Sequence, residues 1–178
     1  LKPKRFININ QSILEFSLKE STDIEIEVYE KIGIGDGNQA NNPWLQEFPD
    51  PISRACWDNY ITISATTARQ LDLQNWNVSN GALNGTLVDI NSGDLVINNV
   101  PVLIQPGQTH NTIGLALGYG RTKCGKTADA IGVNAFPLLS KKSVTIKKVD
   151  GEHEFASIQL HHTMMGRDIV KETTLSDF

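Results

Sequence analysis

Short strand-like runs separated by turn residues are the feature that most restricts the fold of this chain. Thr22 to Val28 alternates polar and apolar side chains, and this period of two residues is typical of a half-buried strand. Similar runs are Tyr60 to Ile63, Thr86 to Ile90, Asp94 to Ile97, Val100 to Ile104, Thr112 to Leu117 and Val144 to Val149. Turn pairs between such runs are Asn84-Gly85, Ser92-Gly93 and Pro106-Gly107. With one short predicted helix, Ser64 to Leu71, the pattern favours a mainly β barrel or sandwich over alternating βα units.

Composition limits the classes of partner. The chain has 178 residues, of which 39% are apolar and 20% charged, which suits one well-buried domain. Its formal charge of -4 provides no basic field for nucleic acid. Only two cysteines are present, too few to hold an iron-sulfur cluster by thiolates alone. No apolar run approaches the roughly 20 residues of a spanning helix, so we expect no direct membrane insertion.

The segment Gly120-Arg-Thr-Lys-Cys-Gly125-Lys126-Thr127 matches the phosphate-loop pattern, and a nucleotide-binding function is one hypothesis for it. A phosphate loop places its anion on the N-terminus of a helix that begins at the Gly-Lys-Thr end. Here Ala128 to Ile131 runs directly into Gly132 and then Pro137. The alternative interpretation is a glycine-rich surface loop whose cations, Arg121, Lys123 and Lys126, suit a phosphate or carboxylate partner.

Candidate catalytic groups are lacking. No Ser/His/Asp or Cys/His arrangement and no carboxylate pair stands out, so the segment is expected not to be catalytic on its own. Gly33 to Asn42 reads as a long loop that could lie against a ligand, because glycine and asparagine tolerate positive φ.

Several motifs follow one another in a fixed order: Asn42-Pro43-Trp44-Leu45-Gln46-Glu47, Pro49-Asp-Pro51, Trp57-Asp58-Asn59-Tyr60-Ile-Thr-Ile-Ser64, Val100-Pro-Val, Gln105-Pro-Gly107 and Gly132-Val-Asn134-Ala. From about Ile24 to Val149 this order resembles the C-terminal dinucleotide-binding domain of molybdopterin oxidoreductases. Two further motifs are Gly114-Leu-Ala-Leu-Gly-Tyr-Gly-Arg-Thr122 and His161-His162-Thr-Met-Met-Gly166-Arg-Asp168. They are similar to the iron-sulfur, molybdopterin-like large subunit of bacterial alternative complex III, a quinol-oxidising respiratory assembly.

The resemblance implies a double-psi β-barrel with one or two short helices. It also implies positions for molybdopterin guanine dinucleotide, because family members contact that cofactor through the loop before Pro-x-Leu-x-Glu and through a later Asn-x-Leu-Thr stretch. Carried over to this sequence, these positions include Gly35, Asp36, Gly37, Asn41, Asn42 and Asn134, and the cation Arg121 is a further candidate for holding the dinucleotide.

The chain departs from the family pattern at those positions. The loop lacks the Thr, Arg and His side chains that usually hold the cofactor, and Asn134 is followed by Ala-Phe-Pro. We therefore expect a scaffolding domain without bound pterin, and the alternative is a functional dinucleotide-binding domain of an active molybdoenzyme. The resemblance implies that iron-sulfur clusters lie outside this segment and that the partners are the rest of the subunit and other respiratory subunits, on the periplasmic side of a bacterial membrane.

These considerations divide the chain into three parts. Residues 1–21 form a poorly defined lead-in, residues 22–150 the β domain, and residues 151–178 an extension towards a following domain. The missing initiator Met at Leu1 and the polar end at Phe178 lead us to expect an excised piece of a longer protein.

Overall fold

The computed structural model describes residues 24–78, 82–158 and 169–177. The described residues form seven β-strands, two short α-helices and one 3-10 helix, which confirms the mainly β class. The strands are β1 Ile24–Tyr29, β2 Ile61–Ile63, β3 Asn75–Asn77, β4 Leu83–Ser92, β5 Leu95–Ile104, β6 Thr112–Ala116 and β7 Ser143–Phe155. The helices are α1 Pro43–Gln46, α2 Ala65–Gln70 and the 3-10 helix Phe136–Leu138.

The strands form one mixed sheet in the order β3-β4-β5-β2-β6-β1-β7. Two pairs are parallel, β1 with β6 and β2 with β5, and the others are antiparallel. A further pairing of β4 with β7 joins the ends, so six strands make a closed ring and β3 lies outside it on β4. Each strand of the ring therefore has a partner along both of its edges over at least part of its length.

Alternate residues of the strands build the core. β1 directs Ile24, Ile26 and Val28 to it, as their alternation predicts, and Glu25 and Glu27 lie between them. Apart from Ala116, the fully buried side chains of the other ring strands are branched aliphatics, which pack well on a pleated surface. They are Ile61, Ile63, Val88, Ile90, Val100, Val102, Ile113 and Leu115.

Both α-helices begin at a capping side chain. Ser64 Oγ accepts a hydrogen bond from the Thr67 backbone at the start of α2, which confirms a short helix beginning after Ser64. Asn42 Oδ1 accepts from the Trp44 backbone at the start of α1, a single helical turn that the sequence analysis did not predict. Asn42, one of the predicted cofactor positions, therefore acts as a helix cap.

The structure corrects two local predictions. Asn84-Gly85 lies inside β4 instead of forming a turn. Glycine is needed there for packing, since a Cβ at Gly85 would lie 2.5 Å from the Val102 carbonyl oxygen and 2.8 Å from the Phe155 ring. The two runs Asp94 to Ile97 and Val100 to Ile104 form one strand, β5, whose irregular pairing near Asn99 is stabilised by a hydrogen bond from Asn99 N to Asp89.

The structure describes only part of the predicted divisions of the chain. β7 continues to Phe155, past the predicted domain boundary at 150, and there pairs with β4. The lead-in over residues 1–21 and the motif from His161 to Asp168 lie outside the described residues. Among the helices that the structure does describe, none is long and apolar enough to span a membrane.

Candidate functional site

The parallel pairing of β1 with β6 brings two loops to the same edge of the sheet. Tyr29 and Ala116, the last residues of these strands, are register partners, and Leu117 N donates to Tyr29 O across 2.8 Å. The chain after β1, residues 30–42, is named the first loop, and the chain after β6, residues 117–135, the second loop. The cofactor positions implied by the resemblance all lie on these two loops.

The two loops touch through glycines. A Cβ at Gly37, where φ is +86°, would lie 2.5 Å from the Gly118 carbonyl oxygen. A Cβ at Gly118 would lie 2.5 Å from Ile34 Cγ2 and 2.9 Å from the Gly35 carbonyl oxygen. Because atoms cannot approach so closely, only glycine permits this contact. No ligand can pass between the loops at this point.

Arg121 fastens the second loop to the first. Its Nη2 donates to the Asp36 carbonyl oxygen across 2.9 Å, and its Nε lies close to Gly37. Nε is buried and has no hydrogen-bond partner among the described residues. The structure thus brings Arg121 and the loop Gly35 to Gly37 together, and the guanidinium holds backbone.

The predicted asparagines also bond to nearby backbone. Asn41 Oδ1 accepts from Thr127 N across 3.1 Å, which ties the first loop to the second. Asn134 Oδ1 accepts from Phe136 N across 3.1 Å at the start of the 3-10 helix. Asp36 is likewise occupied, since its carboxylate accepts from the backbone and the side chain of Asn38. These side chains make local structural contacts.

Asn59, which the sequence analysis singled out only as part of a motif, organises the site. It is fully buried, and its Nδ2 donates to Ala116 O and to Val133 O across 2.8 and 2.9 Å. Its Oδ1 accepts from Val133 N across 2.8 Å. The Asn59 side-chain amide therefore joins the end of β6 to the Gly132-Val133-Asn134 motif. This contact gives a structural reason for Asn59 and the Gly132-Val133-Asn134 motif to occur together.

An open cleft of about 590 Å³ lies beside the second loop. Arg121, Lys123, Cys124, Asn134 and Phe136 are among its lining residues, and the predicted positions Gly35 to Asn42 are not. The structure therefore separates the predicted site: Arg121 and Asn134 share a cleft, whereas the first loop packs on the other side of Arg121. Both cysteines of the chain are free.

The phosphate-loop segment has no helix after it. Gly125 O accepts hydrogen bonds from Ala128 N and Asp129 N, and Ala130 N donates to Arg121 O. The next helical residues begin only at Phe136. The N-terminal helix dipole that a phosphate loop uses is therefore missing from this part of the described chain. The glycine-rich loop interpretation agrees with this geometry.

Lys31 is a buried cation that the sequence analysis did not identify. Its Nζ donates to Asp58 O across 2.8 Å and lies 4.1 Å from the centroid of the Tyr60 ring. Burial lowers the pKa of Lys31 to about 8, and the negative charges of Asp50, Asp58 and Cys56 only partly offset that effect. No local sequence pattern around Lys31 indicates that its ammonium group is buried, because the residues that it contacts are distant in sequence.

The surroundings of Lys31 leave little room for a substrate. The cavity beside it has a volume of about 10 Å³, enough for about one water molecule. On the far side of Asp58, His153 Nε2 lies 2.9 Å from Asp58 Oδ2. Lys31 thus bonds to the backbone of Asp58 and His153 to its side chain, and both contacts hold the Trp57-Asp58-Asn59-Tyr60 motif in place.

No model of a known protein family matches this chain, and no curated protein matches it either. We therefore infer function from the contacts, charges and shape of these loops.

Proposed function

We propose that this chain is a double-psi β-barrel domain of a molybdopterin-oxidoreductase-like subunit and that it scaffolds neighbouring electron-transfer domains without holding a pterin itself. The closed ring of six strands, with its parallel pair β1 and β6, supports the fold assignment. Three of the motifs behind the resemblance meet at one edge of the ring, where Asn59 bonds to Ala116 and to Val133.

The contacts of the expected cofactor side chains support a domain without pterin. Arg121, Asn41, Asn42 and Asn134 all bond to backbone within the chain. The first loop, which would have to face a dinucleotide, is closed against Gly118. The residues present do not fit the cofactor, since binding it would require several of these hydrogen bonds to break, at about 0.5–1.5 kcal/mol each.

The test is the cofactor content of the full-length parent subunit. We expect purified subunit to contain neither molybdenum nor tungsten above background and to release no fluorescent pterin after acid oxidation. Stoichiometric metal together with the pterin fluorophore would overturn the proposal. A molybdoenzyme purified from the same cells serves as the positive control.

The proposed place of the domain is a quinol-oxidising respiratory complex on the periplasmic side of a bacterial membrane, with iron-sulfur clusters in another part of the same subunit. The parent subunit reduced with dithionite should then show iron-sulfur signals in electron paramagnetic resonance, and the isolated 178-residue chain should show none. A parent that lacks these signals would contradict the electron-transfer role while leaving the fold assignment standing.

One observation favours the alternative of a functional dinucleotide site. The cleft of about 590 Å³ beside the second loop carries Arg121 and Lys123, which suit an anionic ligand. In that case Arg121→Ala and Asn134→Ala would lower the pterin content of the parent, whereas Arg69→Ala, which removes an exposed arginine on α2, would not. Unchanged pterin content in the first two variants would exclude this alternative.

A further inference from the structure

The edge of β1 that faces β7 is only partly covered. The register pairs of the two strands end at Glu25 with Ser143, and one more hydrogen bond joins Ile26 N to Lys142 O across 3.1 Å. β1 itself continues to Tyr29. The rest of β1 therefore has no neighbouring strand on this side among the described residues.

Val28 directs its backbone groups to this open edge. On the opposite edge, Glu25 N donates to Asn111 O across 2.9 Å and Tyr29 O accepts from Leu117 N across 2.8 Å, both in the direction of β6. Successive residues of a strand direct their N–H and C=O groups to opposite edges, so those of Val28 face the side of β7. Val28 N and Val28 O have no hydrogen-bond partner in the described part of the chain.

An open cleft of about 630 Å³ lies along this edge and is named the β1–β7 cleft. One wall is β1 from Glu25 to Val28, and the other is the chain from Leu138 to Ser143, which leads from the 3-10 helix into β7. The volume lies within the range of known ligand pockets. Val28 is half-buried and lines the cleft, so a ligand in the cleft can reach its backbone groups.

The unpaired groups of Val28 select the conformation of a ligand. An N–H and a C=O of one residue on the same edge match the two hydrogen bonds that opposed residues of antiparallel strands exchange. A helix uses its backbone groups internally and could not pair with them. β7 is antiparallel to β1 immediately beside this position, so an added antiparallel segment would continue the line of β7. Addition of an extended peptide to a free sheet edge is a known mode of recognition.

Apolar surface beside Val28 determines which side chain of such a segment faces inward. Leu139 lines the cleft, and 55% of its surface is exposed. Val28 packs against the core, in which Leu138 is buried. A residue opposite Val28 would place its side chain between Val28 and Leu139, so an apolar side chain there would remove apolar surface from water.

The outward face of β1 is acidic. Glu25 and Glu27 are exposed and alternate with the residues that face the core. Lys141 and Lys142 also line the cleft, but they lie at the end where β7 begins. The open part of the edge therefore carries Glu27, and an outward side chain of an added strand would lie beside it. Opposite charges on neighbouring strands attract, so this position favours a basic residue.

We propose that the β1–β7 cleft binds an extended segment of a partner protein, which adds a strand to β1. The segment alternates apolar residues, which face Val28 and Leu139, with basic residues, which lie beside Glu27. Pairing of two copies of this chain through β1 is disfavoured, because it would bring Glu27 of both copies onto the same face. This inference does not depend on the proposed function.

The test is titration calorimetry of the 178-residue chain with the capped peptide Thr-Lys-Val-Lys-Val-Lys-Thr, in about 0.15 M salt. We expect a Kd below about 1 mM. In an antiparallel arrangement the residue opposite Val28 is a valine of the peptide, and its N–H donates to Val28 O. N-methylation of both valines should therefore weaken binding about tenfold or more. N-methylation of the central lysine, whose N–H points away from β1, should leave the affinity within about twofold.

Variants of the chain locate the bound peptide. Leu139→Asp should weaken binding about tenfold, because it removes apolar surface from the wall of the cleft. The matched control Leu175→Asp changes the same side chain at an exposed position outside the cleft and should bind as the wild type does. Glu27→Gln should weaken binding about threefold, because it removes the cross-strand charge pair. Thermal midpoints equal to that of the wild type show that these losses of affinity are not losses of fold.

Failure of the peptide to bind, equal affinity of the valine-methylated peptide, or unchanged affinity in Leu139→Asp would each overturn the proposal. The methylated peptides are compared on the wild-type protein, so their result does not depend on the folding of a variant. Sedimentation equilibrium without peptide tests a second copy as the occupant. We expect a monomer, whereas a dimer that Leu139→Asp dissociates would assign the edge to self-association and would also overturn the proposal.

Discussion

The loop edge of the sheet differs in charge and in side-chain contacts from the outer cleft, a cleft of about 290 Å³ lined by residues of β1, β2 and β6 and by Asp50. At the loop edge, Arg121, Asn41 and Asn134 bond to backbone of the same chain, and glycine contacts close the space between the loops. In the outer cleft, Glu27 and Asp50 carry like charges, and Gln108 Oε1 has no partner among the described residues. The motifs at the loop edge therefore serve mainly to join backbone segments, although Arg121 Nε is buried there without a partner among the described residues.

Removal of Asn59 tests the folding role of the loop edge and has the largest expected effect. Asn59→Ala deletes three buried hydrogen bonds to Ala116 and Val133 and leaves their backbone groups unpaired. We expect a loss of about 3–5 kcal/mol in the free energy of unfolding, measured by urea denaturation. The control Asn134→Ala removes one hydrogen bond at an exposed position and should cost about 1 kcal/mol. Equal losses in the two variants would contradict the assigned role.

Two glycines with the same backbone angle test the contact between the loops. Gly37 and Gly107 both have φ of +86°, but a Cβ at Gly107 meets nothing within 4 Å. Gly107→Ala should cost about 1 kcal/mol from backbone strain alone, and Gly37→Ala about 3 kcal/mol, because it also overlaps Gly118. Thermal or urea unfolding measures both values. If the two variants were equally stable, the loops would not be in contact.

The pH dependence of stability tests the buried charge of Lys31. Its pKa of about 8 in the folded protein lies below the ordinary value of 10.5, so between these values the unfolded chain binds more protons. The cost of burying the ammonium group is therefore fully present below pH 8 and is relieved as the pH rises. The stability of the wild type relative to Lys31→Met should rise by about 2 kcal/mol from pH 8 to pH 10. Comparing the two proteins cancels the ionisation of tyrosines, and a constant difference would refute the buried charge.

Neutralisation of Glu27 has the smallest expected effect and sharpens the contrast with the loop edge. Glu27 is exposed on β1 and contributes little to folding. Glu27→Gln should change the free energy of unfolding by no more than about 0.5 kcal/mol in either direction. Urea unfolding measures this, and a loss as large as that of Gly37→Ala would assign Glu27 to the fold.

Local sequence patterns predicted those elements whose signal is local. The alternation of Ile24, Ile26 and Val28 identified β1, and Ser64 identified the start of α2. β3 was missed because Asn-Trp-Asn has little strand character. Its position depends on the Asn75 side chain, which donates to Val102 O and accepts from Ile104 N, residues nearly thirty positions away.

Long-range contacts decide how the side chains of the candidate site are used. Arg121 was a candidate from its local cationic loop, and no sequence pattern shows that its guanidinium bonds to the Asp36 backbone. Nor does one reveal that Lys31 is buried or that Gln108 Oε1 has no partner. Each of these properties arises only when strands from distant parts of the chain come together.

Closure of the ring also determines when the protein can fold. Ile24 in β1 pairs with Val144 in β7, and β1 lies between β6 and β7 in the sheet. β1 can therefore pair only after β6 and β7, which come much later in the chain. The chain segments between these strands are long, and long segments are slow to bring their ends together. During synthesis β1 remains unpaired until β6 and β7 have left the ribosome, so this strand is the segment that a chaperone would need to protect.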